Sequence, residues 1–286
     1  RLLLLVLVAV LPALLLLLGS GLERERDASR RATSSLAFQV QETARAQEQL
    51  VDSAHQVLAT LATLTWIQQR EADRCKPLLK RLHALNPRIT VLLAADPQGQ
   101  VYAASVDGPP ISIADRRYFQ QALWNRRLAS GEYVVGRLSI RPGLHLALPV
   151  IDAEGRIQGV VVAGLDLSGQ GDAGLRPGLP AGIRMSHLDR NGVVIHDQGH
   201  APSRVGQPTD FEAFRRMTGP RVDGTFEAGD EQGGRRIVAY RQIRIPGEED
   251  PCLVLRIDQL KSVALGPARR ILIRDLALLA LAAVLA

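Results

Sequence analysis

Seven residues with chemistry to offer lie in a largely apolar stretch, 113–168: Arg116, Tyr118, Trp124, Tyr133, Arg137, His145 and Asp166. Their types suit recognition rather than bond-making. A guanidinium grips a carboxylate through two parallel hydrogen bonds, a tyrosine offers a hydroxyl beside an apolar ring, and an aspartate can hold an amine. A few such groups converging on apolar walls describe a small-molecule pocket. Each also has a structural role open to it. Arg116 could pair with Asp115 or sit on a solvated helix face, and Tyr118 could be a packed ring. Asp166 could cap a turn, and Trp124 and His145 could be core or rim. Tyr133 and Arg137, an even number of residues apart, would share one face of a strand.

These residues need a helix and a sheet to position them. The spacing predicts a helix over 115–128, with Asp115 near its N-terminus, where the dipole favours negative charge, and Gly131 just beyond its end. Val, Leu and Ile content bounded by Gly or Pro predicts strands over 132–140, 144–151 and 157–167. Arg141-Pro142-Gly143 and Asp152-Ala153-Glu154-Gly155 are tight-turn sequences, so neighbouring strands pair antiparallel. A helix laid across such a sheet leaves a hollow.

The chain of 286 residues has a net charge of +6, but its arginines are interspersed with acids and aromatics are only 4%, which argues against a nucleic-acid partner. Cys75 and Cys252 fall in different predicted domains, so no disulfide is expected. The six histidines are scattered, and neither a metal nor a cofactor is expected. Residues 169–174 match G-x-G-x-x-G, yet Pro177, Gly178 and Pro180 forbid the helix whose N-terminus would hold a pyrophosphate. Asp189-Arg190-Asn191-Gly192 opens like a calcium loop but lacks the downstream ligands. No nucleophile–base signature is present, so this segment is expected not to be an enzyme.

Residues 89–102 and 183–196 form a near-repeat of strand, D-x-x-G turn and strand, with Gly99 and Gly192 supplying positive φ. The repeat predicts two domains of one type in tandem, 71–170 and 181–260, joined by the Gly- and Pro-rich stretch 169–180. The second domain continues through strands over 225–231, 235–243 and 252–257. Ahead of both, 22–70 reads as a long helix. Its stripe of Leu36, Val40, Ala44, Val51, Ala54, Leu58 and Leu61 serves either docking on its own domain or a homodimer seam. A second helix over 71–85 stops at Asn86-Pro87. Residues 2–19 read as a membrane span rather than a cleaved signal peptide, and 271–286 as the start of a second span.

The D-R-x-Y-F pattern of Asp115-Arg116-Arg117-Tyr118-Phe119, then Gly136 and Ser139, then LALPVIDAEGRIQGVVVAGLDLS, resembles double Cache sensor domains of bacterial transmembrane receptors. The two D-x-x-G hairpins fit the same family. The resemblance implies an α+β fold with two stacked PAS-like modules behind the long helix, flanked by transmembrane helices, with ligand in the membrane-distal module. It further implies a periplasmic sensor region in a multi-pass inner-membrane protein, ahead of a histidine kinase, diguanylate cyclase or chemoreceptor module. Amino-acid-sensing members carry R-x-W-Y at the pocket helix. Here Arg116 is kept, Trp-Tyr becomes Tyr-Phe, and Asp166 matches the strand-end Asp that can hold an ammonium. The implied ligand is a small organic acid, amino acid or amine; the alternative is a membrane-anchored structural ectodomain without ligand.

Overall fold

The computed structural model describes residues 2–139, 142–168, 179–180, 182–199, 203–229 and 233–285. Helix α1, Leu2–Thr63, runs unbroken for 62 residues, and no Gly or Pro interrupts it beyond Gly21. Its apolar stripe from Leu36 to Leu61 is buried in one core with both sheets. The stripe therefore docks on the chain's own domains, and it is not free to form a dimer seam. Within it sits one buried amide, Gln47, whose Nε2 donates to the Leu167 carbonyl at 3.3 Å and lies 3.3 Å from His187 Nε2. Its Oε1 accepts from Arg88 at 3.1 Å. Short α2, Thr65–Gln68, and α3, Ala72–Leu85, complete the N-terminal helical part.

The first sheet holds β1 (Ile89–Ala95), β2 (Val101–Ala104), β3 (Ala129–Ser130), β4 (Val134–Val135), β5 (Pro142–Ile151) and β6 (Ile157–Leu165), with α4, Arg117–Asn125, across it. The second holds β7 (Ile183–Leu188), β8 (Val194–Gln198), β9 (Asp223–Gly229), β10 (Arg235–Ile243) and β11 (Leu253–Leu260), with α5, Phe211–Met217. The orders are β2-β1-β6-β5-β3, with β4 also on β5, and β8-β7-β11-β10-β9. Both place a hairpin at one edge and the last strand at the centre, and every pairing is antiparallel. The tandem α+β architecture is thus the observed one.

The repeated hairpins owe their shape to one device. Asp96 Oδ1 accepts the N–H groups of Gln98 and Gln100, each at 2.9 Å, and Gly99 turns at φ 84°. Asp189 Oδ1 accepts from Asn191 at 2.9 Å and Val193 at 2.7 Å, with Gly192 at φ 80°.

Several boundaries differ from expectation. Helix α4 is shorter than 115–128 because Arg116 is still extended and Arg126, at φ 53°, ends it in the left-handed region. Of the predicted strand 132–140 only β4, Val134–Val135, is strand among the described residues, and β3 precedes it. The stretch 169–178, with the G-x-G-x-x-G match, lies outside the described residues. The expected spans, 2–19 and 271–286, fall in part on residues whose side chains lie outside the description; among the described residues no helix is long and apolar enough to cross a membrane. Helix α1 turns polar from Glu23 onward, and Arg269, Arg270, Arg274 and Asp275 lie in the first part of α6, Lys261–Leu285. The two helices lie side by side, antiparallel. Gly21 faces Leu272, with Arg24–Asp275 at 3.1 Å and Arg269–Glu25 at 2.9 Å flanking it.

Candidate functional site

Helix α4 buries Tyr118, Phe119 and Ala122 against Val91, Leu93 and Val162 of the first sheet. Beside its first turn, sheet and loop leave a cavity of about 20 Å³, room for one water. Val91, Leu93, Ile111, Ile113, Val134 and Leu138 wall it with carbon; Arg116, Tyr118, Arg137, Ser139 and His145 bring the polar groups.

His145, on β5, is 4% exposed, and its ring stacks on Tyr118 with centroids 5.3 Å apart and planes 15° from parallel. Burial, then the charge of Arg116, brings its pKa down to about 4, so the imidazole is neutral at ordinary pH. Its Nδ1 is buried without a hydrogen-bond partner, as is Ser139 Oγ. Burial pushes the Tyr118 hydroxyl up to about 12. Gly131 makes this packing possible, because a Cβ there would lie 2.9 Å from the Tyr118 ring.

The two arginines differ. Arg137 is engaged: it donates to both carboxylate oxygens of Asp115, at 2.9 and 2.7 Å, and to the Ser112 carbonyl. Those bonds hold the Asp115 carboxyl below its usual range. Arg116, half-buried just ahead of α4, is held by its backbone, whose N–H donates to the Ile113 carbonyl at 3.0 Å, while its side chain makes no hydrogen bond or ion pair among the described residues.

The cavity thus brings together Arg116, Tyr118, Arg137 and His145. It does not include the other three residues singled out from sequence. Trp124 is 85% exposed, because α4 turns that position to solvent. Tyr133 and Arg137 do not share a strand face, since β4 covers only two residues between them. The Tyr133 backbone N–H donates to Asp189 Oδ2 at 2.7 Å, and its ring stands over Gly206 of the second domain. Asp166 caps a turn, its Oδ1 accepting from the Ser168 N–H at 2.8 Å and hydroxyl at 2.6 Å. Sequence reasoning missed the loop residues Ile111 and Leu138, which belong to no periodic element.

It also missed a clamp behind the cavity. Ser130 donates its N–H and hydroxyl to the two Glu248 oxygens, at 2.9 and 2.8 Å. Arg190 donates to the Ser130 hydroxyl at 2.6 Å and pairs with Glu248, the two side chains being 7% and 10% exposed. Asn191 reaches Glu132 at 3.1 Å. The segment 130–134 therefore touches the cavity with Val134, the Tyr118 ring with Gly131, and the second domain with Ser130, Glu132 and Tyr133. Among the described residues no group of His, Cys, Asp and Glu could hold a metal, and Cys75 and Cys252 are buried and free.

Two like sheet-and-helix modules strung on one helix, with a cavity in the first, define the class of tandem sensory domains. A family model for the Cache domain matches residues 24–267, and the chain belongs to that family of sensory ligand-binding domains. Three solved structures show the same fold. One is the extracellular domain of a histidine kinase, rpHK1S-Z16, at 20% identity and TM-score 0.56, over 82% of this chain and 94% of that one. The ligand-binding domain of the Pseudomonas fluorescens chemoreceptor CtaA with L-isoleucine has 16% identity and TM-score 0.61, over 84% and 98%. That of the Campylobacter jejuni chemoreceptor Tlp3 with L-valine has 11% identity and TM-score 0.59, over 84% and 97%. No curated protein matches the chain.

Proposed function

We propose that this chain is the extracytoplasmic, ligand-sensing region of a bacterial membrane receptor, of histidine-kinase, diguanylate-cyclase or chemoreceptor type. In this reading the first domain, 71–170, is membrane-distal and binds a small organic acid or amino-acid-like metabolite, and the second, 181–260, is membrane-proximal. One observation carries it: the Arg116 guanidinium lines a largely apolar cavity and makes no direct ion pair or side-chain hydrogen bond among the described residues, acting on Asp115 only through its charge. A half-buried guanidinium without a direct partner is free to grip a ligand carboxylate through two parallel hydrogen bonds.

The likeness to amino-acid-binding chemoreceptor domains and to a kinase extracellular domain supports the same reading. So does the clamp, because the short segment that carries Val134 in the cavity wall also meets Glu248 through Ser130 and Asp189 through Tyr133. A ligand that prefers one arrangement of this wall shifts the balance between the two, and the paired ends of α1 and α6 deliver the change to one place. Receptors of this type act as homodimers in this reading; with the α1 stripe consumed internally, pairing uses exposed faces such as that of Phe38 and Arg45.

The test is a thermal-shift screen of the chain with organic acids, amino acids and amines. A stabilising ligand should lose roughly tenfold or more in affinity in Arg116→Ala, as expected when a charged hydrogen bond loses its donor. Stabilisation that survives both Arg116→Ala and Arg137→Ala unchanged would place the site elsewhere.

A further inference from the structure

We propose that the cavity selects a short-chain carboxylate without an ammonium group, a 2-hydroxy or 2-oxo acid being the best fit. This rests on reading the Arg116 cavity as the ligand site.

An amino acid brings two opposite charges, and a site that takes one needs an answer to each. The polar lining here is Arg116, Tyr118, Arg137, Ser139 and His145: two cations, three neutral groups and no carboxylate. The nearest acid, Asp115, is outside the lining and tied by two bonds to Arg137. Asp166, the residue best placed by sequence to meet an amine, is turned into its own Ser168 turn. An ammonium beside Arg116 would therefore meet a like charge and no anion.

The atoms that do lack partners are neutral. Ser139 Oγ and His145 Nδ1 are both buried and unsatisfied, and a buried hydrogen-bonding atom without a partner is costly. A hydroxyl or keto oxygen next to the carboxylate gives them one. A cavity of about 20 Å³ has room for one water, so any acid must widen it on binding, and between the walls of Val91, Leu93 and Ile113 a short apolar tail demands the least widening.

Propionate, L-lactate, pyruvate and L-alanine share one skeleton and differ only at the second carbon, so they separate these factors. Isothermal titration of the whole chain should give L-lactate or pyruvate an affinity at least roughly tenfold above L-alanine. Arg116→Ala should weaken every acid in the series. Ser139→Ala should shrink the advantage of L-lactate over propionate while leaving propionate itself unchanged. L-Alanine binding as tightly as L-lactate, and dependent on Arg116, overturns the proposal while leaving the site in place. If none of the four binds in an Arg116-dependent way, the proposal falls, and if no amino acid does either, the site reading falls with it.

Discussion

His145 shows what a single residue reveals about its surroundings. The folded chain holds it neutral at a pKa of about 4, against 6.5 for a free imidazole. Between those values the unfolded chain binds a proton that the folded chain refuses, so stability rises with pH across this window and is lost as pH falls through it. The full loss amounts to roughly 3 kcal/mol. Urea midpoints measured from pH 7 down to 4 should fall more steeply for the native chain than for His145→Gln; parallel curves would contradict the assignment. The polar members of the cavity could be read from sequence, because a charged or aromatic residue inside an apolar run stands out. The side on which each one falls could not. Trp124, Tyr133 and Asp166 were indistinguishable from true lining residues, since a short helix, a two-residue strand and a turn decide their directions.

At the scale of elements the clamp invites a direct measurement. Glu248→Ala leaves Arg190 buried without its carboxylate and should cost about 3–5 kcal/mol. Ser130→Ala removes one donor and acceptor and should cost about 1–3 kcal/mol. Guanidinium unfolding of both variants checks the order, and equal losses would mean the ion pair contributes little beyond the serine. The hairpins were legible because D-x-x-G demands one particular turn. Helix α5 was not, although Asp210 accepts the Ala213 N–H at 2.8 Å as a helix cap. Seven residues give a helical period too little length to show itself. Strands β3 and β4 escaped for the same reason: two residues carry no alternation.

Across the whole molecule α1 is the shared spine, and its stripe was plain in the sequence, though not what it packs on. Leu58→Ala should cost about 2–5 kcal/mol, because Leu58 is fully buried in the core common to α1 and both sheets. Because that core is shared, the loss should appear as one earlier unfolding transition in calorimetry rather than a split one. Gln47 sets how such a spine can move. A slide of one residue, about 1.5 Å, turns its amide by roughly 100° away from Leu167, Arg88 and His187 together. Sliding is therefore resisted, and tilting is resisted too, because the stripe on either side of Gln47 is buried against the two sheets. The helix thus ties both sheets and α6 into one body, from Leu58 in the shared core to Gly21 beside Leu272, about 55 Å along its axis.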